Sequence, residues 1–369
     1  MIAITPRQDV PLWRSAAALA GGVAAGLLVT IAILVSAGVG LGDIWQEFVV
    51  YTLLDLDGLS LVATSATPLI LVGLAGAVAL RVRFWNIGIE GQVWLGAIGA
   101  TWIAVADIGP DSLRLVFMAG AGALFGALWV AIPALMKLRL GINEIITTLL
   151  LNYVAHLLVQ HLVFGPWKDP TANFPNSESF QPGVERLVQL GWGNVHAGLI
   201  VALAVALVLW VVMERSRAGL YMQAIGASPS VAAGTGLPVL ATILLAVGLS
   251  GAAAGLAGWL VASGQEYRLT QHLGTGYGFA GIVIAFLARF RPAAVVVAAA
   301  LVGTLYVAGD TLQVFYQLPR AVIELIQAVI LLSVVTADFF ARYRLTLSRP
   351  VRRPAPGTAA QSGGGTAVP

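Results

Sequence analysis

The chain has 369 residues, 59% of them hydrophobic and only 10% charged, with 20 Lys and Arg against 17 Asp and Glu. Soluble domains carry about 25% charged residues, so this deficit, combined with long apolar runs, excludes an ordinary soluble globule and places the chain in the membrane class. Cysteine is absent, which excludes a disulfide framework and thiolate metal sites, and the scattered histidines (His156, His161, His196, His272) share no helix face that would hold a metal.

From the N-terminus, the first apolar run covers 16–41. It exceeds the roughly 7–15 residues of a signal-peptide core and reads as a first spanning helix. A spanning helix needs about 20 apolar residues. On that criterion further spans are predicted at 59–80, 91–106, 114–136, 143–164, 196–213, 239–262, 276–288, 293–309 and 320–337. The fold class is therefore all-α and integral to the membrane, with ten transmembrane helices over 1–345. With the N-terminus in the cytoplasm, only Arg114, Lys168, Arg186, Arg268 and Arg320 of the 20 basic residues fall outside. That asymmetry obeys the positive-inside rule and puts both termini in the cytoplasm. Residues 165–195 form an external loop. Residues 346–369, rich in Pro, Gly and Ser, read as a disordered cytoplasmic tail.

The third and eighth spans are short and start after Gly-interrupted segments, NIGIEGQ and HLGTGYG. They occupy matching places in the first and second sets of five, and two odd-numbered halves have opposite orientation. The pattern predicts a 5+5 inverted repeat with a pathway at the short helices.

Three segments carry candidate function. In Phe84–Gln92, Asn86, Gly88, Glu90 and Gln92 interrupt apolar sequence. A carboxylate at mid-bilayer costs on the order of 3 kcal/mol, so Glu90 must face polar surroundings. Alternatively, Asn86 caps a helix and Glu90 sits in its first turn. In the fifth span, Asn143 and Glu144 stand at a helix start, where capping explains them, whereas Asn152 and Tyr153 lie inside the span and need partners. The third segment is the connector 214–238, about 25 residues long, with helix-length apolar sequence and small residues that let another protein approach closely.

Together these segments resemble the permease subunits of bacterial ATP-binding-cassette (ABC) importers, in the branch for nucleosides and simple sugars (branched-chain amino acid/ribose type). FWNIGIEGQ resembles the family signature F-N-I-G-x-E-G-Q. Residues 141–170 resemble its G-x-N-E-x-x-x-T-L-x-L-N-Y run, ending in a G-P-W-K-D-P block typical of nucleoside members. Residues 219–238 resemble the coupling helix that docks on the ATPase. Trp85 stands where Phe is usual, and Gln223 where a basic residue is usual.

The resemblance implies an importer permease of the bacterial inner membrane, not an enzyme. The substrate pathway would run by Asn86, Gly88, Glu90, Gln92, Asn143, Glu144, Asn152 and Tyr153. The ATPase contacts would be Arg217, Gly219, Gln223, Ala224, Gly226 and Pro229. Implied partners are an ABC ATPase subunit that binds the ATP, a second permease (identical or related), an external substrate-binding lipoprotein and membrane lipid. No cofactor, metal or nucleic acid is implied. Alternatives are a simple-sugar or vitamin importer of the same branch, an ion-coupled secondary transporter, and a membrane-embedded enzyme. The few deep acidic residues, Glu90 and Glu324, favour a neutral solute over ion coupling.

Overall fold

The computed structural model of the chain describes residues 2–6 and 11–347. In chain order the elements are β1 (Ile2–Pro6), α1 (Leu12–Ser36), α2 (Leu41–Trp45), α3 (Leu56–Arg81), α4 (Ile89–Val105), α5 (Arg114–Leu140), α6 (Glu144–Phe164), α7 (Gly198–Trp210), α8 (Arg217–Ala227), α9 (Pro229–Gly234), α10 (Val239–Val261), α11 (Tyr277–Leu287), α12 (Pro292–Tyr316), α13 (Arg320–Arg342) and β2 (Tyr343–Leu347). Wider, π-helical turns follow α2 over Gln46–Leu54, extend α7 over Val211–Arg215 and extend α10 over Ala262–Glu266.

Among the described residues, seven helical stretches are long and apolar enough to cross a membrane, accompanied by three shorter apolar ones, Ala20–Ser36, Ile89–Val105 and Tyr277–Leu287. Each predicted span falls on one of these helices. Helix α11, at 11 residues, is only about 16 Å long, roughly half the hydrocarbon thickness of a bilayer. Helices hydrophobic on all sides belong in a core or in lipid, and both cases occur. Helix α3 is 78% buried along its span, whereas α5 is 22% buried and turns Leu124 and Leu128 outward.

Helix α3 packs on α11 and α12, α10 packs on α4 and α5, and α3 and α10 pack on each other. Small residues make these contacts close. A Cβ on Gly255 of α10 would overlap the carbonyl oxygen of Gly122, and one on Gly96 would overlap the backbone of Gly255. Small residues at helix interfaces in lipid allow this backbone approach, which maximises dispersion contact. A second core, built on Leu34, Leu312, Ile326 and Ile330, joins α1 to α12 and α13.

Helix ends follow local chemistry. Helix α5 stops at Gly141, which takes φ +69°. Two residues later the Asn143 side chain accepts from the Ile145 amide at 2.9 Å and starts α6. Ser228 and Pro229 open α9 in the same way.

The architecture is helical, with one short addition: β1 and β2 pair antiparallel from Ile2–Leu347 to Pro6–Tyr343. This ribbon ties the two ends together on one side of the helical body. It also takes up Thr346 and Leu347, the first residues of the expected tail; residues 348–369 lie outside the described residues.

Candidate functional site

The Phe84–Gln92 segment turns from α3 into α4 and is buried apart from exposed Trp85 and half-buried Ile87. Asn86 and Gln92 bond each other reciprocally, Asn86 Nδ2 donating to Gln92 Oε1 at 3.0 Å and Gln92 Nε2 donating to Asn86 Oδ1 at 2.8 Å. Asn86 also donates to Ser250 Oγ of α10 at 3.0 Å, and Ser250 donates to the Ala75 carbonyl of α3 at 2.7 Å. Asn86 is therefore not the N-cap of α4; that place belongs to Gly88, without side-chain capping. A buried amide must satisfy both donors and acceptors, and a facing amide does this better than a helix end.

Asn152 of α6 fastens the other side of the segment. Its Oδ1 accepts from the Gly91 amide at 2.8 Å, and its Nδ2 donates to the Ile87 carbonyl at 2.9 Å. Gly88 packs against Thr148, where a Cβ would come within 3.0 Å of the Thr148 Cβ. Glu90, 3% exposed, reaches across to the second short helix. Its Oε1 accepts from the Gly276 amide at 2.5 Å and its Oε2 from the Gly278 amide at 2.6 Å. The first turns of α4 and α11 thus meet at one carboxylate, where two sets of unpaired helix N–H groups favour negative charge.

Beside this junction lies a cavity of about 630 Å³. Of the predicted pathway residues it includes Glu90, Asn152 and Tyr153; Asn86, Gly88, Gln92, Asn143 and Glu144 lie away from its wall. Glu144 instead pairs with Lys137. The aromatic wall is Trp94, Tyr153, Tyr277, Phe279 and Tyr306. Trp94 donates to the Leu273 carbonyl at 2.8 Å and lies 4.8 Å from the His156 ring, and the Tyr277 and Tyr306 rings stack at 6.2 Å. Gln313, Gln327 and His272 supply polar groups, and Glu266, Asp310 and Glu324 supply carboxylates against the single guanidinium of Arg320. Arg320 is already paired with Glu324 at 3.0 Å. Packing brings these acids from the extension of α10 and from α12 and α13 to one space, where all three are exposed, so Glu90 is the buried carboxylate of the cavity. Among the described residues, no group of three His, Cys, Asp or Glu is placed to hold a metal ion.

The segment after α10 leads to this wall and is braced by the predicted external loop. Ser177 and Phe180 amides donate to the Leu269 and Tyr267 carbonyls at 3.0 and 2.8 Å. The Arg186 guanidinium lies 4.8 Å from the Tyr267 ring centre. Arg114, read from sequence only as an external charge, is 2% exposed and pairs with Asp107, Asp111 and Glu185. Within the G-P-W-K-D-P block, the Thr171 hydroxyl and amide donate to Asp169 at 2.6 and 2.8 Å and hold its carboxyl below the usual range. The block does not touch the cavity.

The 214–238 connector contains α8 and α9. Arg217, Gln223 and Pro229 face outward, as do Leu220 and Val231, while Ala224 is half-buried. Gly219 and Gly226 face inward, and a Cβ on either would overlap the carbonyl oxygen of Met213 or of Arg81. Arg81 pairs with Glu214 at 3.0 Å, which anchors the root of the connector to α3.

Residues 58–335 match the family model described as "Branched-chain amino acid transport system / permease component". The chain is 36% identical to the glucose ABC transporter permease protein TsgB13 of Haloferax volcanii, over 94% of this chain and 93% of that protein. It is 33% identical to the guanosine ABC transporter permease protein NupP of Bacillus subtilis, over 73% and 79%. To the nucleoside ABC transporter permease protein NupB of Lactococcus lactis it is 30% identical, over 64% and 68%. With short helices meeting at a cavity, a helical connector at one end and these likenesses along most of its length, the chain belongs to this family of ABC transporter permeases, a transport component and not an enzyme.

Proposed function

We propose that this chain is the membrane permease of an ATP-driven importer for nucleosides, and that the 630 Å³ cavity lies on the solute's path. The observation that carries the substrate class is the aromatic wall of Trp94, Tyr153, Tyr277, Phe279 and Tyr306 beside hydrogen-bonding groups. A base stacks on such faces, gaining about 1–3 kcal/mol per base, and ribose hydroxyls bond to carboxylates and amides. An excess of acids over the one paired arginine suits a neutral solute and repels a phosphorylated one. The guanosine and nucleoside relatives point the same way.

Ten spans in a 5+5 inverted repeat agree with the exchanged packing of α3 on α11 and α12 and of α10 on α4 and α5. They also agree with two short helices meeting N-terminus to N-terminus, the arrangement of broken helices at a transporter midplane. The β1–β2 ribbon supports both ends lying on one face, and the positive-inside count makes that face cytoplasmic. In this reading α8 and α9 dock on a separate ATPase through Arg217, Gln223 and Pro229, with Gly219, Ala224 and Gly226 supporting the docking surface. A second permease completes the pore, and an external binding lipoprotein delivers solute in the bacterial plasma membrane.

A second reading, import of a simple sugar, is favoured by the glucose permease relative, which matches nearly the whole chain. The test is uptake into proteoliposomes holding this permease with its partner permease, ATPase and binding protein. ATP-dependent uptake of radiolabelled guanosine, undiminished by excess glucose, supports the nucleoside reading. Uptake of glucose alone replaces it with the sugar reading. Uptake driven by a proton gradient without ATP removes both.

A further inference from the structure

Glu90 does more than tolerate burial. Its two oxygens accept from Gly276 and Gly278 at 2.5 and 2.6 Å, and these donors are 186 and 188 residues away in sequence. The fit is close: a Cβ on Gly278 would overlap the Glu90 backbone nitrogen, and one on Gly274 would stand 3.2 Å from the Val93 side chain. Gly276 holds φ +92°, a conformation that turns its amide toward the carboxylate and that side chains resist. The junction also forms part of the cavity wall, through Glu90, Gly276 and Tyr277. Asn86, Gln92 and Asn152 bind the α4 side of the junction to α3, α6 and α10. On the α11 side the first turn is held to α4 through the amides that donate to Glu90.

We propose that Glu90 is a positioning residue, a charged pin that makes α4 and α11 move as one body and so keeps ATP turnover coupled to solute movement. The proposal rests on the ATP-driven permease reading above. A carboxylate serves because both its oxygens accept. A glutamine in its place presents one acceptor and one donor, so one of the two α11 amides is left facing an N–H group. Aspartate keeps the charge but is shorter by a methylene and reaches one amide at a time.

The chain contains no cysteine, so a single introduced thiol, followed on the isolated chain after labelling, reports local opening with no other thiol of this chain contributing. Ala280 lies in the first turn of α11 and is 5% exposed, and Ala202 on α7 is 0% exposed and serves as the distant control. Each is replaced by Cys in the full chain, assembled with its ATPase in native membranes, and the rate of reaction with N-ethylmaleimide is measured. E90Q is expected to speed labelling at A280C about tenfold, with E90D intermediate and A202C unchanged, because loss of the pin opens α11 locally. In reconstituted complexes, E90Q is expected to lower solute moved per ATP hydrolysed by at least about tenfold, while ATP hydrolysis continues. If E90Q does not accumulate in the membrane, G278A serves instead: it leaves the carboxylate intact but drives the two backbones apart, and the same pair of effects is expected. Unchanged labelling at A280C, equal acceleration at A202C, or an unchanged ratio of solute to ATP would each overturn the pin. The labelling arm requires no transported solute, so its outcome stands apart from whether nucleosides are the substrate.

Discussion

Two regions of this permease invite the same reading and behave in opposite ways. Phe84–Gln92 is conspicuous in sequence, a polar island in apolar surroundings, yet in the structure its amides and carboxylate bond to the protein itself. The wall formed by Tyr277 and Tyr306 is inconspicuous, two tyrosines in apolar helices, yet it faces open space. Polar groups within a membrane must find partners. A dense polar motif therefore marks first the place where the chain fastens itself, while the surface left for a solute is aromatic and assembled from distant helices.

This contrast is broken most severely at the helix contacts that support both regions. Replacing Gly255 with Val puts side-chain atoms into the Gly122 backbone. The cost is expected to be about 3 kcal/mol or more, seen as loss of membrane-inserted protein by detergent-solubility and size-exclusion measurements. Next comes Asn86→Ala, which strips partners from buried Gln92 and Ser250 and should destabilise by about 1–3 kcal/mol. Its mark should be a lower thermal midpoint, with little change in substrate KM among molecules that remain folded. Tyr306→Ala should do the reverse: a KM for guanosine raised roughly tenfold, equivalent to about 1.4 kcal/mol of lost ring contact, with thermal stability nearly kept. The smallest effect is expected for Arg320→Ala, whose partner Glu324 is exposed. An exposed ion pair contributes about 0–1 kcal/mol, so the thermal midpoint should stay within error.

Much of the helical framework is legible in the sequence. The expected spans 59–80, 143–164 and 239–262 meet α3 at Leu56–Arg81, α6 at Glu144–Phe164 and α10 at Val239–Val261, because long apolar runs leave little freedom in lipid. Local pattern also marked the two short spans. It did not reveal that Glu90 reaches Gly276, 186 residues on, or that Asp310, Arg320 and Gln327 gather at one cavity. Those juxtapositions depend on how helices pack, and periodicity along one helix carries no record of its neighbours. The external loop shows the same limit: Arg114 reads as a surface charge, but tertiary structure buries it against Glu185. In the connector, Gly219 and Gly226 face inward, since small residues permit packing on the chain's own backbone as readily as on a partner's, whereas Gly236 is exposed.

The most direct test of the central claim, that the aromatic cavity and not the polar motif receives the solute, is substrate protection. Gln313 stands in the cavity wall, and the cysteine-free chain allows a Gln313→Cys reporter in the assembled transporter, labelled with N-ethylmaleimide during turnover. The account predicts that guanosine slows the labelling in a concentration-dependent manner and that Tyr306→Ala shifts this protection to higher guanosine concentration. Labelling that proceeds at the same rate with saturating guanosine and with saturating glucose as with neither would contradict it.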